Sequence, residues 1–407
     1  MSPLPQTLTE SRPAIVALDD VQAASLQALG KRLAGKSDWW GAANTPRQGG
    51  SAISVSPSGA QGQWTLRVND AIGILSVGGQ TMPVLPKIPE SHALALLGLA
   101  GAIPRMDTLA AQAATGTSLF DLLSRWLVHT VERVLQRDLM KGYQVHREEL
   151  AHVRGRISVK ETTLAVTLGR ARVTSEFDEL DRDNPLNRVL LAALRLVSGA
   201  PFASPDVRAH ARRASARFDG VSELRHGDLR VTVTPRTAYY GDSLAIAKAL
   251  LRGAARKLDA GGEVAWAFLI RTPEAIEAGI RTVLQNALAP SFEVEKRGLA
   301  LLPSTKTLNP DLVFGDVAVG DVKYKLQTSD WDTGDLYQAV AFATGFHVSE
   351  AAILTFSTGR PGHMPLQVGD VRLSNFCWPA DPSLAPEEAA ERLVTEVRIW
   401  LAEFWPS

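Results

Sequence analysis

The sequence predicts a mixed α+β protein of the α/β class, and three observations carry that prediction. Residues 51–88 hold short alternating or apolar runs separated by turn residues; the middle third carries apolar side chains at helical spacing; the last third reads as helix, strands, helix. The expected regions are a β-rich one over 1–115, a mostly helical and basic one over 116–258, and an α/β one over 259–407.

The first element is a short helix in "DDVQAASLQALG", with Asp19 or Asp20 as N-cap, Val21, Ala24, Ala28 and Leu29 along one face, and Gly30 at its C-terminal end. "SAISVS", "WTLRV", "IGILSV" and "TMPVLPKI" follow as strands broken by "PSGAQG", "ND" and "GGQ", which makes a meander or small barrel. "SLFDLLSRWLVHTVERVLQRDL" places Leu119, Leu122, Leu123, Trp126, Val131, Val134 and Leu135 on one helical stripe. "NPLNRVLLAALRLV" repeats the pattern with Leu186, Val189, Leu190, Leu194 and Val197, and "SLAIAKALLRGAARKL" gives another helix. In the last third "WAFLIRTPEAIEAGIRTVL" reads as a helix with Ile276, Ile280 and Val283 inward. "DLVF", "VAVGDVKY" and "AAILTF" read as strands, and "PEEAAERLVTEVRIWLAEF" as the closing helix.

The 407 residues are 45% hydrophobic and 21% charged, ordinary globular values. Cys377 is the single cysteine, which excludes an intramolecular disulfide and a cysteine-rich zinc site. No apolar run approaches the roughly 20 residues of a membrane helix, and "MSPLPQTLTESRP" lacks the layout of a signal peptide. A soluble protein of the reducing cytoplasm is expected. Net charge is zero, but residues 125–257 carry 24 Lys and Arg against 15 Asp and Glu, whereas 258–407 carry 11 against 20. The basic middle suits either a polyanionic partner or solvated helices. An acidic last third suits an enzyme that needs carboxylates to hold metal.

"GKRLAGKS", residues 30–37, fits the phosphate-cradling pattern G-x-x-x-x-G-K-[ST]. A working P-loop follows a buried strand and opens a helix. Here a helix precedes the motif and loop-like "DWWGAANTPRQGG" follows it, so the reading favours an exposed basic helix end over a nucleotide site at Lys36.

The chemistry lies in "NPDLVFGDVAVGDVKYKL", residues 309–326. With Gly315 and Asp316 as the turn of a tight hairpin, Phe314 lies opposite Val317, and Asp311 falls across from Gly320 and next to Asp321. Asp321 and Lys323 project from one strand face. Two carboxylates and an ammonium group at one hairpin end suit Mg²⁺-dependent phosphodiester hydrolysis; the plainer reading is surface ion pairing. Glu277 lies near enough to the inner helix edge to reach a metal, or is a solvated helix glutamate. Gln338, on the helix "DLYQAVAFATGF", could fix a water or a phosphate.

Pro310-Asp311 followed by Asp321-Val-Lys323 resembles the P-D…(D/E)-x-K signature of restriction-endonuclease-like nucleases. "PVLPKI", "HVRGRI", "EFDELDRDNPLNRVLLAAL", "NPDLVF", "GDVKYK" and "DLYQAVAFA", in that order over roughly residues 70–360, resemble one branch in particular, the McrC family, the nuclease subunit of McrBC modification-dependent restriction systems. The resemblance implies a C-terminal PD-(D/E)xK domain with Asp311 and Asp321 as metal ligands, Lys323 as catalytic lysine, Glu277 as upstream helix carboxylate and ligand, and Gln338 as the helix glutamine. Mg²⁺ is the implied cofactor, with Mn²⁺ as a substitute. Two positions depart from the family pattern: Ile276 stands where an aromatic is expected, and Gly320, where an aliphatic is expected, could loosen the strand.

The resemblance also implies docking on a McrB-like AAA+ GTPase hexamer whose hydrolysis the subunit stimulates, a modified double-stranded DNA substrate, and a second nuclease subunit on assembly. No membrane partner is implied. The β-rich N-terminal region is the implied docking element; Trp39 and Trp40, with Arg47 nearby, are either contacts there or core residues. The alternative function is a non-catalytic activator of the motor, against which the intact Asp311, Asp321 and Lys323 argue.

Overall fold

The structure, a computed structural model, describes residues 7–34, 51–103, 119–258, 264–301, 303, 305–359 and 362–404. The chain divides into two compact units, Met1–Ser118 with Gly253–Ser407, and Leu119–Arg252. Lys36, Trp39, Trp40 and Arg47 lie outside the described residues.

The first unit opens with β1 (Leu8–Thr9), β2 (Ala14–Ala17), α1 (Asp20–Ala34), β3 (Ile53–Pro57), β4 (Gln63–Val68), β5 (Ala71–Val77), β6 (Gln80–Leu85) and α2 (Glu90–Leu99). Of the two candidate caps Asp19 is the one used: its carboxylate accepts from Gln22 N–H at 2.8 Å while Gln22 Oε1 accepts from Asp19 N–H at 3.1 Å. The helix does not stop at Gly30. It runs one turn further, so its buried face is Ala23, Leu26, Leu29 and Leu33, and Val21 and Ala24 face solvent. Glycine is required at position 30 by proximity, because a Cβ there would lie 2.7 Å from Ile53 O and 2.8 Å from Ile53 N. The first half of the phosphate-loop pattern is therefore helix. A single meander is also corrected: β2, β4 and β3 form one antiparallel sheet, and the chain then changes sheet, with β5 and β6 forming a hairpin flanked by β1.

The second unit holds α3 (Leu119–Gln136), β7 (Gly142–Leu150), β8 (Arg156–Ile157), α4 (Val159–Thr167), β9 (Val173–Asp181), α5 (Pro185–Gly199), α6 (Pro205–Ser215) and α7 (Gly241–Gly253). The expected stripes of α3 and α5 are buried as read. The expectation of a mostly helical region missed a sheet, however, since β7 and β9 pair antiparallel over nine residues with β8 beside β9. Tyr143, Val145 and Leu180 are exposed on these strands, so no burial alternation marks them in sequence.

The chain then returns to the first unit as β10 (Ala254–Leu258), β11 (Val264–Arg271), α8 (Pro273–Leu288), β12 (Val294–Glu295), β13 (Leu299–Ala300), β14 (Thr307–Leu308), β15 (Leu312–Phe314), β16 (Ala318–Leu326), α9 (Thr333–Phe346), β17 (Glu350–Ser357), β18 (Leu366–Val368), β19 (Val371–Pro379) and α10 (Pro386–Ala402). Two expected helices are partly strand. α7 ends at Gly253 and the chain continues as β10, while "WAFLIR" is β11, the helix starting only at Pro273. The fixed φ and missing N–H of proline suit a first helical turn and not a helix interior. β11 pairs antiparallel with β5, giving the order β1-β6-β5-β11-β10. The core beneath it combines Leu26 and Leu29 of α1, Leu66, Leu75 and Leu269, so the β-rich N-terminal stretch and the C-terminal stretch share one interior.

A six-stranded sheet, β12-β15-β16-β17-β19-β18, forms the rest. Its central strands β16, β17 and β19 are parallel and almost wholly buried, as expected where helices cover both faces. Phe342 and Ala343 of α9 pack on Val319, Ile353 and Leu373. The Trp400 ring of α10 meets Phe314 and Phe376, with centroids 5.8 and 5.3 Å away.

Candidate active site

β15 and β16 form the expected hairpin, but the register differs by one residue. Phe314 pairs with Ala318 and Leu312 with Gly320, so three residues make the turn. Gly315 takes the positive φ of 53° and Val317 N–H donates to Phe314 O. One step further along this register brings Asp311 opposite Asp321 itself. The carboxyls come closer than sequence counting implied. Gly320 does not loosen the strand, for it is paired to Leu312 on one side and Ala352 on the other. A Cβ at Gly320 would stand 3.2 Å from Leu312 and Phe314 atoms, so these two buried side chains fill the space left by its missing side chain.

Asp311 and Asp321 are buried, 6% and 4% exposed. Asp311 Oδ2 accepts from Val322 N–H at 3.1 Å and Oδ1 from Lys296 Nζ at 3.1 Å, while its backbone carbonyl accepts from Arg281 at 3.0 Å. Lys323 Nζ stands 2.5 Å from Asp321 Oδ2. That oxygen nonetheless accepts no hydrogen bond of good geometry among the described residues. The Lys323 ammonium nevertheless occupies that oxygen's surroundings, so a cation binding Asp321 would share the carboxylate with it. Lys323 Nζ also donates to Gln338 Oε1 at 2.7 Å, and Asp335 lies 3.9 Å away. Lys325 pairs with Asp335 at 2.6 Å and Asp332 at 3.1 Å. The structure thus brings Asp311, Asp321, Lys323 and Gln338 together.

Glu277, on α8, joins this group electrostatically. Burial first, and then the Asp311 carboxylate, push its pKa up to about 8 against the pull of Lys296. Asp321 is pushed up to about 7, again by burial and then by Asp311, with Lys323 opposing. Among the described residues no three His, Cys, Asp or Glu side chains converge as a ready-made metal-ligand set. The pair Asp311 and Asp321 offers two hard oxygens, and the Glu277 carboxyl stands close enough to feel both. Two buried carboxyls that resist ionising together are oxygen donors of the hard type that a divalent cation prefers.

Lys296 and Arg281 were not legible in the sequence. Lys296 follows the two-residue β12, which pairs with β15 through Val294 and Phe314. Its only sequence signal is that edge pairing, too short to read from periodicity.

A family model described as the McrBC 5-methylcytosine restriction system component matches residues 66–357, from β4 to the end of β17. The chain belongs to the McrBC family. Within it, the chain is similar to the Type IV methyl-directed restriction enzyme EcoKMcrBC of Escherichia coli K12, at 26% identity over 140 residues, 34% of this chain and 40% of the relative. The match thus spans less than half of that relative's length. Among solved structures, the chain is similar to one in an assembly of Thermococcus gammatolerans McrB AAA+ hexamers with bound McrC. The TM-score is 0.67 at 16% identity, covering 96% of this chain and 99% of that one, so the McrBC-family fold extends over nearly the whole chain. No helix among the described residues is long and apolar enough to cross a membrane.

Proposed function

We propose that this chain is the DNA-cutting subunit of its restriction system, an endodeoxyribonuclease of PD-(D/E)xK type that works docked on an AAA+ GTPase ring and stimulates its hydrolysis. The observation that carries the reading is the hairpin register, which sets Asp311 against Asp321 with Lys323 on the same face. Asp311 and Asp321 would hold Mg²⁺, or Mn²⁺ in its place, with Glu277 as the third carboxyl, giving up its proton when the ion binds. Bound there, the ion would supply Lewis acidity toward a phosphodiester and an acidified water.

The residues' own work follows from their contacts. The Val322 N–H fixes Asp311 Oδ2, so that carboxylate cannot rotate freely. Gln338 holds the Lys323 ammonium at the edge of the site, where it can donate to the attacking water or to a phosphate oxygen. Lys296, half-exposed on Asp311, offers a second positive charge toward a DNA backbone. The partner is expected to be a McrB-like hexamer, the substrate modified double-stranded DNA, and cutting of both strands would need a second nuclease subunit on assembly.

The experiment is cleavage of methylated and unmethylated plasmid with Mg²⁺, using wild type, Asp321→Ala and Lys323→Ala, each alone and with the AAA+ protein plus GTP or ATP. Cutting that needs the ring, the nucleotide and both side chains is the expected result. Equal stimulation of the motor by all three proteins with no DNA cut would make the chain an activator instead.

A further inference from the structure

The N-terminal segment reaches the candidate catalytic strand through one buried carboxylate. Glu10, directly after β1, is fully buried, and its N–H donates to Leu85 O at 2.8 Å. Its Oε2 accepts from the Tyr324 hydroxyl at 2.9 Å, and its Oε1 accepts from the Thr272 hydroxyl. The Tyr324 oxygen in turn accepts from Lys87 N–H at 3.3 Å, and the Lys87 ammonium lies 4.7 Å over the tyrosine ring.

The two hydroxyls belong to the two elements that carry the site. Tyr324 follows Lys323 on β16, and whereas Lys323 meets Gln338 of α9, the Tyr324 hydroxyl meets Glu10. Thr272 is the N-cap of α8, five residues before Glu277. An N-cap threonine ordinarily turns its hydroxyl to the first amides of its own helix. Thr272 makes no such bond and gives its proton to Glu10 instead. A single side chain therefore ties the start of α8 to the strand of Asp321 and Lys323.

We propose that Glu10 is a positioning residue for the nuclease centre, fixing the distance between the Glu277-bearing start of α8 and the Asp321–Lys323 strand. This rests on the nuclease reading above and adds to it a residue far away in sequence. Buried carboxylate-to-hydroxyl bonds are strong and directional. Losing them would let α8 and β16 shift, and a misplacement of about 1 Å costs on the order of 100-fold in rate. Alanine at position 10 would leave two buried hydroxyls without their acceptor. Glutamine keeps both links, because its oxygen can accept from one hydroxyl and its NH₂ can donate to the other.

The test uses the full chain with its ring partner, nucleotide and Mg²⁺, at a temperature where each variant is folded. For Glu10→Ala, kcat for plasmid cleavage is expected to fall on the order of 10- to 100-fold with KM for DNA unchanged, and Glu10→Gln to restore most of the rate. Affinity for Mn²⁺ without DNA, measured by calorimetry, should weaken in Glu10→Ala and recover in Glu10→Gln. A lowered melting temperature with unchanged kcat and Mn²⁺ affinity would make Glu10 a structural clamp only and overturn the proposal. Should Glu10→Ala fail to fold, Tyr324→Phe and Thr272→Val each remove one arm, and an unchanged kcat in both overturns it equally. Asp321→Ala run in parallel separates the two claims. Wild type cutting no better than Asp321→Ala sinks the nuclease reading itself; wild type that cuts, beside a Glu10→Ala that cuts as fast, sinks only this inference.

Discussion

Glu277 and Asp321 carry folded-state pKa values of about 8 and about 7, above the ordinary 4.5 and 3.8, so the folded chain keeps protons that the unfolded chain has released. For a carboxyl raised in this way, the stability contribution is full below the ordinary value and is lost as pH rises through the folded value. The metal-free protein is therefore expected to melt at lower temperature at pH 8 than at pH 5, and Asp321→Asn to flatten the profile. Because cations compete with those protons, Mn²⁺ should raise the melting temperature more at pH 8 than at pH 6. Calorimetric scans at the three pH values check both signs; a melting temperature that climbs towards pH 8 without metal would show that the carboxyls are not held neutral by burial. At this scale Asp311, Asp321 and Lys323 were legible because strand alternation and hairpin counting act over about ten residues. Lys296 and Glu10 were not, since each arrives from another part of the chain.

The elements were legible where one face is buried and the other wet. α3 and α5 are amphipathic, and their stripes read directly. β11 reads as part of a helix in sequence because a continuous apolar run has no period, and only Pro273 marks the boundary. β7 and β9 escaped for the opposite reason, having little buried surface. The hairpin register moved by one residue because the turn takes three residues, with Gly315 at positive φ. The fit around Gly320 now has a measurable cost: Gly320→Val must displace Leu312 and Phe314, each already in contact with the missing Cβ position. Overpacking of that kind destabilises by about 1–3 kcal/mol. Denaturant titration should show the loss, and cleavage should fall with it, because Asp321 is the next residue; an unchanged midpoint would mean that the sheet relaxes freely.

At the scale of the whole molecule, the sequence suggested three successive regions, whereas the first unit is closed only when residues before 118 and after 253 meet. No local pattern announces that β5 and β11 are neighbours. A fragment of residues 253–407 would leave Ala265, Ala267 and Leu269 without the core they share with α1 and β5. Such a chain is expected to show no cooperative thermal transition and to aggregate, whereas a sharp transition with native-like circular dichroism would mean that the C-terminal sheet stands alone. The same pairing also bears on how the protein is made. On the ribosome β5 is finished long before β11, and at about 5–20 residues per second the interval is roughly 10 to 40 s. Throughout it the nascent chain presents an open, apolar strand edge, the kind of surface that recruits other chains. Expression yield should therefore respond to translation speed and to chaperones that shield nascent strands, even for variants whose finished form is as stable as the wild type.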